Sequence, residues 1–323
     1  MRAPLFVCAR AVPQSGMERV AHTVLLGLAE LGEVEAVAVN STAWDDVAMT
    51  SLGRRVQGPH RLPVMTWRIH RARRLLEDRC VVLVGVWVAL CVLVLPARRR
   101  ARRIVVWDHS LVPGKLESSR KLRVLAAVAR RAYARADTVV CVSGPHAAHV
   151  RELTGHRDVR VVANPIGSEP LDAEELAAGA ARRSERAAGG SWAMVGALSP
   201  TKNPAEALRA LALAPGAHLT VVGEGPLAGD LRSLSADLCV ADRTTFTGHV
   251  ASERVQEILD AADVLVHPSR GETFGMVFYE AARAGVPVVA AAGPVVEECV
   301  PRCVPGLTYA GGPQGLADAV AAL

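Results

Sequence analysis

The stretch Ala262–Glu298, ADVLVHPSRGETFGMVFYEAARAGVPVVAAAGPVVEE, decides which fold the rest of the chain must adopt. Its short apolar run, Asp263–Pro268, predicts a buried strand, and a loop with two glycines follows. Met276–Ala284 predicts a helix that Gly285 ends, and Val286–Ala291 predicts the next buried strand. Strand, loop, helix and strand form one βαβ unit. Its loop and helix N-terminus are expected at the carboxyl edge of a parallel sheet, where anionic ligands bind.

Two glutamates of this unit, Glu272 in the loop and Glu280 about one turn into the helix, can face one ligand. Carboxylates accept hydrogen bonds from vicinal diols, and backbone N–H groups at a helix start favour a diphosphate. Two solvated glutamates on a helix face would show the same spacing, so the spacing alone leaves both interpretations open. With Phe274-Gly275 between the glutamates and Ala281-x3-Gly285-x-Pro287 after them, the stretch resembles the retaining glycosyltransferases of family 4, which have the GT-B fold.

The resemblance implies a nucleoside-diphosphate sugar of the UDP or GDP type as co-substrate, with no other cofactor and no metal ion. Loop amides and the helix start hold the diphosphate and the sugar in that family. In this sequence they belong to Thr273, Phe274, Gly275, Met276 and Val277. The resemblance also implies that Glu272 contacts the sugar hydroxyls and Glu280 the ribose. The sequence contains no Asp-x-Asp triplet, which agrees with a reaction that needs no bound metal.

A second loop, Val195–Asn203, resembles the family's diphosphate loop and places Lys202 where the family lysine contacts the phosphates. An ammonium there neutralises the departing nucleoside diphosphate, whereas a solvated loop lysine is the alternative. The arginine that accompanies this lysine in the family is replaced by Ala197. Arg270, in the loop before Glu272, is a candidate for supplying the missing charge. A degenerate, weakly active protein is the other consequence of this departure.

Three further loops match the family less closely. The turn after the first predicted strand keeps Gly16 of the usual glycine pair, close to the donor phosphates and the acceptor, although an ordinary strand-to-helix turn explains it equally well. Val222–Leu227 contains Glu224, and Phe246–Val250 ends at Val250. The resemblance implies that these two loops flank the base of the donor and that the backbone near Val250 contacts its edge.

His109 lies shortly after the core of a predicted strand, Ile104–Trp107, in the first half of the chain. The family often has a histidine at this point, beside the reacting sugar. An imidazole there can orient a sugar hydroxyl or stabilise developing charge near neutral pH, whereas a packed or solvated histidine is the alternative. The predicted catalytic residues are His109, Lys202 and Glu272. Cys141, inside an apolar strand, is predicted to be a buried core residue rather than a nucleophile.

The chain of 323 residues alternates short apolar runs with helical stretches, which predicts parallel sheets in an α/β protein of about two domains. Residues 1–165 are predicted to form an acceptor-side Rossmann-like domain and 166–323 a nucleotide-sugar-binding one, with a linker and an exposed helix at Gly167–Gly190. By resemblance these are the two doubly wound domains of the GT-B fold, which face each other across a cleft. The predicted strands are Leu5–Ala9, Val34–Val39, Val81–Val84, Ile104–Trp107, Thr138–Val142, Arg160–Val162, Trp192–Val195, His218–Val222, Thr244–Thr247, Val264–His267 and Val286–Ala290.

Cysteine usage and the N-terminus predict a cytoplasmic protein. Seven scattered cysteines without a C-x-x-C pair indicate reduced thiols, and the first residues contain no apolar segment long enough for a secretory signal. Cys80–Pro96 carries no charge and precedes a basic run, as a membrane span with its anchor does. Because the segment is short for a span and Gly85 divides it, we prefer a strand, Val81–Val84, and a buried helix, Val88–Arg99.

Charge divides the chain, since residues 1–165 hold 26 Lys and Arg against 13 Asp and Glu, and residues 166–323 hold 11 against 19. A basic domain often marks an anionic partner. The arginines of the first half form three groups, and the first and third are spaced so that each can present a cationic helix face. The groups are Arg68–Arg79, Arg98–Arg103 and Arg120–Arg135. Peripheral contact with the anionic inner face of a membrane is therefore a hypothesis, and a solvated basic surface is its alternative.

The sequence predicts a retaining glycosyltransferase that moves a hexose from a nucleoside-diphosphate sugar to a sugar, lipid-linked or small-molecule acceptor. Two alternatives stay open: a nucleotide-sugar epimerase with the GT-B fold, and a weakly active or non-catalytic sugar-nucleotide-binding subunit. Nucleic acid is not an expected partner, because a helix-turn-helix signature and zinc ligands are absent and aromatic residues are few. Family members usually continue past the point where this sequence ends, at Leu323, through a helix that crosses back onto the first domain.

Overall fold

The computed structural model describes residues 2–11, 16–41, 44–57, 60–93, 100–109, 120–165, 190–303 and 306–323. The chain divides into two compact units, Met1–Pro165 and Ile166–Leu323. Each unit is a parallel sheet with helices, which confirms the predicted α/β class with two doubly wound domains. The predicted linker and exposed helix, Gly167–Gly190, lie outside the described residues apart from Gly190.

The first unit alternates strands and helices along the described chain. Its strands are β1 Leu5–Cys8, β2 Glu35–Ala38, β3 Met49–Ser51, β4 Cys80–Val84, β5 Arg103–Asp108, β6 Thr138–Cys141 and β7 Val159–Val161. Its helices are α1 Gly16–Leu31, α2 Arg61–Arg71, α3 Val86–Leu93, α4 Arg120–Tyr133 and α5 Gly144–Thr154, with a 3-10 turn at Arg73–Leu76. The strands pair in the order β3-β2-β1-β4-β5-β6-β7, so the direction of winding reverses between β1 and β4.

The second unit repeats this organisation. Its strands are β8 Ser191–Val195, β9 His218–Val222, β10 Thr244–Gly248, β11 Val264–His267, β12 Val288–Ala291 and β13 Gly306–Tyr309. Its helices are α6 Pro204–Ala212, α7 Ala228–Asp237, α8 Ser252–Asp260, α9 Met276–Arg283, α10 Pro294–Cys303 and α11 Gly312–Ala321, with a 3-10 turn at Ala241–Arg243. The order β10-β9-β8-β11-β12-β13 reverses between β8 and β11.

Helices cover both faces of each sheet, so the inner strands are apolar along their length. All four residues of β1 are buried, as are all four of β11. Helix ends follow local chemistry: the Ser143 hydroxyl accepts a hydrogen bond from the backbone N–H of His146 at the start of α5, and Gly155 ends that helix with φ +69°. Each unit has its own hydrophobic core, gathered around β4 in the first and around β8 in the second.

All eleven predicted strands are present, but two strands escaped the sequence analysis. Both β3 and β13 lie at the edge of a sheet, are short and are largely exposed, so neither carries an apolar signal. Strand β12 begins at Val288 rather than at the predicted Val286. Pro287 precedes it and has no N–H to donate, although its carbonyl accepts from Leu265 at 2.9 Å.

The apolar segment at Cys80–Pro96 is a strand followed by a helix, as preferred. Strand β4 ends at Val84, Gly85 turns the chain with φ +84°, and α3 begins at Val86, two residues earlier than predicted. Residues 94–99, the end of the predicted helix, lie outside the described part of the chain. No helix that the described residues form has the length and apolar character to cross a bilayer.

The first arginine group does not form one free cationic face, so that expectation needs correction. Arg68 turns inward and donates to the carbonyls of Val39 and Gly53, at 3.0 and 3.3 Å. Arg79 pairs with Glu35 at 2.8 Å and its side chain is only 12% exposed. These guanidiniums bind groups of the same unit at or near strand ends, because an arginine stem can pack while its head hydrogen-bonds. Arg98 and Arg99 of the second group lie outside the described residues.

Candidate active site

The carboxyl edge of the second sheet carries loops that are joined backbone to backbone. The N–H of Gly196, after β8, donates to the carbonyl of Val222 at 3.0 Å, and that of Leu198 donates to Glu224 at 2.9 Å. The N–H of Gly223 donates in turn to Gly248, after β10, at 2.9 Å. The predicted diphosphate loop and the two predicted base-flanking loops therefore form one connected surface.

Two glycines make this close approach feasible. A Cβ added to Gly223, which has φ +131°, would lie 2.0 Å from the carbonyl oxygen of Gly196. A Cβ on Gly225 would lie 2.3 Å from the carbonyl oxygen of Leu198. Because the obstructing atoms are backbone, no side-chain movement could relieve either clash, and only glycine fits at both positions.

Glu272 is the centre of the site, and two cations or potential cations meet one of its oxygens. Nζ of Lys202 donates to Oε1 of Glu272 in a short ion pair. Nε2 of His267, the last residue of β11, lies 2.6 Å from the same oxygen and donates to it. The N–H of Arg270 donates to the carbonyl of Thr201 at 2.8 Å, which ties the Glu272 loop to the residue before Lys202.

The electrostatics of this trio follow from burial and charge. Burial by itself raises the pKa of Glu272, but the Lys202 charge and the His267 hydrogen bond outweigh it and hold the pKa well below its usual range. Burial lowers the pKa of His267, against the opposing effect of Glu272. Glu272 is therefore a carboxylate and His267 a neutral imidazole at neutral pH. The proton of that imidazole lies on Nε2, since Nε2 faces the carboxylate.

The start of α9 lies next to this trio and is shaped by an aromatic packing arrangement. Gly275 caps the helix with φ +81°, and a Cβ there would lie 2.3 Å from the ring of Phe278. That ring meets His267 edge-on, with centroids 4.9 Å apart, and Phe274 stacks on Tyr279 at 5.2 Å. The helix start is thus held rigidly beside Glu272, with its N–H groups at the carboxyl edge of the sheet.

The other donor-binding residues predicted in the second unit lie on the same edge. Glu224 is exposed and Val250 is half-buried, on the loops after β9 and β10. Glu280 is half-buried, one turn into α9, and Val277 is buried in the first turn of that helix. Thr273 and Met276 are half-buried in the loop and at the helix start. The structure joins Lys202 directly to Glu272, and the roles predicted for the remaining residues stay predictions.

The position of Arg270 bears on the missing family arginine at Ala197. The Arg270 side chain is exposed, and its backbone is bonded to the Lys202 loop as described above. Burial and Glu206 raise the pKa of Tyr309, whose hydroxyl donates to Glu206 at 2.8 Å, and the Arg270 charge opposes that rise. The guanidinium therefore acts close to this pair, and its service to a diphosphate stays a prediction.

In the first unit His109 follows β5 directly, above a buried polar group. Its ring packs against Trp107 with centroids 4.7 Å apart. Beneath it, Oδ2 of Asp108 lies 3.3 Å from Nε2 of His146, and both residues are fully buried. Burial lowers the pKa of His109 to about 4, with His146 acting in the same direction and Asp108 against it. Burial and Asp108 raise the pKa of Tyr133. His109 is accordingly neutral at neutral pH.

Two predicted residues of the first unit have simpler surroundings. Gly16 begins α1, and a Cβ there would meet nothing within 4 Å among the described residues, so no steric need for glycine is visible. The preceding turn residues 13–15 lie outside the described part of the chain. Cys141 is fully buried in β6, and burial raises the pKa of its thiol to about 12, so it is a core residue as predicted.

His267 is the functional candidate that the sequence analysis missed. It was assigned only to a strand, since an imidazole inside an apolar run gives no sign of which group it contacts. Its position was nevertheless informative, because the last residue of a buried parallel strand faces the carboxyl edge where ligands bind. Among the described residues its Nδ1 is buried without a hydrogen-bond partner.

Two family models match the chain, one in each unit. The model described as Glycosyltransferase Family 4 matches residues 14–169, and that described as Glycosyl transferases group 1 matches residues 191–323. A D-inositol 3-phosphate glycosyltransferase of Mycobacteroides abscessus is 41% identical over 106 residues, 31% of this chain and 24% of that protein. The match thus spans about a quarter of the relative's length.

Solved structures resemble the chain over nearly its whole length. Sucrose-phosphate synthase from Thermosynechococcus elongatus has a TM-score of 0.78 at 20% identity, covering 99% of this chain and 89% of its own. HepE (Alr3699) from Anabaena, solved in complex with UDP and glucose, has a TM-score of 0.72 at 19% identity with the same coverage. These likenesses show the GT-B fold. Because the two family models between them match most of the chain, the protein belongs to family 4 of the glycosyltransferases.

Proposed function

We propose that the protein is a retaining glycosyltransferase that transfers a hexose from a nucleoside-diphosphate sugar, of the UDP or GDP type, to an acceptor. One observation supports this most strongly: Lys202, Glu272 and His267 converge beside the start of α9 at the carboxyl edge of a parallel sheet. A cation, a carboxylate and a helix N-terminus are the groups that a diphosphate and a sugar require.

In this proposal Lys202 and the helix start stabilise the negative charge that develops on the departing nucleoside diphosphate. The positive charge comes from these groups, without a metal ion or other cofactor. Glu272, held ionised in a buried position, accepts hydrogen bonds from hydroxyls of the hexose, and Glu280 accepts from the ribose. The loops with Glu224 and Val250 flank the base. The complex of HepE with UDP and glucose supports a donor of this kind.

The first unit supplies the acceptor side of the reaction. His109 is a neutral imidazole, so it can accept a proton or a hydrogen bond from a hydroxyl, and burial beside Trp107 keeps its ring fixed. The acceptor is a sugar, a lipid-linked molecule or another small molecule. Retention of configuration is proposed from family membership, and the configuration of the product by NMR decides it. We also propose that the protein acts in the cytoplasm, at or near the inner face of the membrane.

The assigned role of Lys202 gives the sharpest test of donor binding. Lys202→Ala should weaken the binding of UDP or GDP about tenfold to a hundredfold, since one charge-assisted contact contributes about 1.5–3 kcal/mol. Binding of uridine or guanosine should change little, because a nucleoside has no phosphate. Isothermal titration of both ligands measures the difference, with Arg254→Ala as a matched loss of an exposed cation in the same unit. Equal weakening of nucleotide and nucleoside would remove Lys202 from the phosphates.

One observation favours a second candidate, a weakly active or non-catalytic sugar-nucleotide-binding subunit. Ala197 stands where the family has a second cation, and the one cation that remains is already paired with Glu272. Incubation with labelled donor separates the candidates. Transfer to an acceptor supports the proposed function, an isomerised donor indicates an epimerase, and binding without turnover indicates the subunit.

A further inference from the structure

The residue that follows Lys202 has an uncommon backbone conformation. Asn203, which directly precedes α6, lies in the left-handed region with φ +51° and ψ +46°. Asparagine tolerates this region better than most residues but less well than glycine, so contacts of its side chain can decide whether it stays there. The Asn203 side chain makes no capping hydrogen bond to the first N–H groups of α6, so it is not an ordinary helix cap.

Glu206, in the first turn of α6, holds the Asn203 side chain. Nδ2 of Asn203 donates to Oε2 of Glu206 in a short hydrogen bond, and because a carboxylate only accepts, the orientation of the amide is fixed. A glutamate at this position commonly accepts instead from the backbone N–H of the residue before the helix. Here that N–H donates to the carbonyl of Ser199 at 3.1 Å. The carboxylate therefore acts on the side chain of Asn203 and, through it, on the left-handed turn.

Tyr309 binds the other oxygen of the same carboxylate. Its hydroxyl donates to Oε1 of Glu206 at 2.8 Å, from a position 103 residues further along the chain. Tyr309 is the last residue of β13 and is only 6% exposed, and its carbonyl accepts from the N–H of Ala292 at 2.9 Å. Helix α11 passes close to its ring, since a Cβ on Gly315 would lie 3.6 Å from Cδ2. The tyrosine is thus held in place, and each oxygen of Glu206 has a donor.

The turn that ends at Asn203 sets the direction of the Lys202 side chain. The N–H groups of Lys202 and Asn203 both donate to the carbonyl of Ser199 at 3.1 Å, so the lysine lies within a tight turn. Its stem runs past Gly196, where an added Cβ would lie 3.7 Å from Cδ of the lysine. Beyond this point the ammonium meets Glu272. A rotation of the backbone at Asn203 would therefore turn Lys202 relative to α6 and move the ammonium.

We propose that Glu206 and Tyr309 are positioning residues for Lys202. The Tyr309 hydroxyl orients the Glu206 carboxylate, and the carboxylate holds Asn203 in the left-handed conformation that directs the ammonium toward Glu272. The role of this ammonium at the phosphates rests on the proposed function, whereas the conformation of the turn stands on the contacts described above. In Asn203→Gly the residue adopts the left-handed region without help, so the contribution of Glu206 should vanish in that variant.

Titrations of the full chain with UDP, GDP, uridine and guanosine test this coupling as a double-mutant cycle. Glu206→Ala should weaken binding of the nucleoside diphosphate about threefold to tenfold, the range that one hydrogen bond contributes, and binding of the nucleoside less than about twofold. In the Asn203→Gly background the same substitution should change neither affinity by more than about twofold. Tyr309→Phe, which removes only the hydroxyl, should follow the same pattern with a smaller effect.

Asp230→Ala is the matched control for the loss of a carboxylate. Asp230 is the third residue of α7, as Glu206 is of α6, and it is exposed. Its removal weakens the start of a helix in the same unit without touching the Lys202 turn. The affinity of Asp230→Ala for the nucleoside diphosphate should stay within about twofold of that of the unsubstituted protein.

A measurement without nucleotide tests the conformation of the turn itself. Lys202 is 26% exposed in its pair with Glu272, so release of the ammonium should speed its acetylation by acetic anhydride. The other two lysines of the sequence, Lys115 and Lys121, provide internal references in peptide mass spectrometry. Glu206→Ala should raise the relative rate at Lys202 at least about twofold, and should leave that rate unchanged in the Asn203→Gly background.

Equal weakening of nucleotide and nucleoside, or an effect of Glu206→Ala that persists in the Asn203→Gly background, would overturn the proposal. Nucleotide binding and acetylation that neither Glu206→Ala nor Tyr309→Phe changes would also overturn it. If Glu206→Ala lowers the melting temperature, Tyr309→Phe provides the test, since it removes a single hydroxyl. If the unsubstituted protein binds UDP and GDP no more tightly than the nucleosides, the proposed function fails, and the acetylation rates alone decide whether Glu206 positions Lys202.

Discussion

At the scale of single residues, Glu272 combines two opposed electrostatic effects. Burial disfavours its charge, and Lys202 and His267 restore it, so a buried carboxylate stays ionised. The arrangement also offsets the Lys202 charge before any ligand arrives. In the proposed reaction a diphosphate therefore has to share Lys202 with Glu272, and the His267 N–H then carries more of the stabilisation of that carboxylate. His267 is a positioning residue in this scheme.

The lowered pKa of His109, about 4, predicts how stability depends on pH. An unfolded histidine has a pKa near 6.5, so between about pH 6.5 and pH 4 the unfolded chain binds a proton that the folded chain does not. Stability contributed by neutral His109 is therefore complete above pH 6.5 and is lost as pH falls through this window. Between pH 7 and pH 5, the free energy of unfolding should fall by about 2 kcal/mol less in His109→Gln than in the unsubstituted protein.

Urea unfolding at both pH values measures this difference, and His218→Gln, at an exposed strand residue, is the control. The window lies above the range in which Glu272 is protonated, because the pKa of Glu272 is lowered below its ordinary acidic value. His267 contributes equally to both proteins. A parallel loss of stability in His109→Gln and the unsubstituted protein would mean that His109 is not held neutral by the fold.

At the scale of elements, the junction between β11 and α9 determines the geometry of the site. Strand β11 ends on His267, the loop carries Glu272, and Gly275 turns the chain into the helix in a left-handed conformation. Phe278, in the first turn of α9, packs under Gly275 and against His267. Strand end, loop and helix start are therefore connected by direct contacts, so we expect a change in the cap to reach the carboxylate through Phe278 and His267.

Gly275→Ala should destabilise the protein by about 1–3 kcal/mol, because a non-glycine residue at φ +81° is strained and its Cβ would lie 2.3 Å from the Phe278 ring. Displacing that ring also shifts His267, so the affinity for UDP or GDP should fall. Gly293→Ala is the matched control: its Cβ meets nothing within 4 Å and its φ is not positive, so stability should change by less than about 0.5 kcal/mol. Denaturant midpoints and titrations measure both, and equal behaviour of the two variants would contradict the packing argument.

At the scale of the whole molecule, the charge asymmetry separates a basic first unit from an acidic second one. Part of the basic charge is structural, since Arg68 and Arg79 bond to groups within the unit. Other basic groups lie at the surface. Arg71 is exposed, and its guanidinium lies 5.6 Å from the ring centroid of Trp67, which is itself 58% exposed. An exposed tryptophan with arginines is suited to the interface of an anionic membrane.

The protein should therefore co-sediment with anionic vesicles at low salt, and not with neutral vesicles. Each basic residue near an anionic surface contributes about 1 kcal/mol, which salt screens, so binding should be lost as ionic strength rises. Trp67→Ser should weaken binding to the anionic vesicles. Trp87→Ser, at a residue packed beneath Arg61, should not. Absence of sedimentation with anionic vesicles at low salt would leave a solvated basic surface as the better explanation.

The amino-acid sequence by itself determined the α/β class, eleven of the thirteen described strands and the βαβ unit around Glu272. Apolar periodicity indicates which segments are buried, and glycines indicate where the chain turns. Both signals can be recognised within about ten residues of sequence. The same reason explains the two strands that were missed. At a sheet edge β3 and β13 bury little, so their sequences carry no apolar run, and only pairing with β2 and β12 makes them strands.

Only the tertiary structure decided which side chains meet. Lys202 and Glu272 are 70 residues apart, and the strand order places their loops side by side. His267 became a site candidate for the same reason. A contact between loops depends on the order and register of strands and on the direction of each side chain, none of which leaves a period or a composition in the segment that carries it.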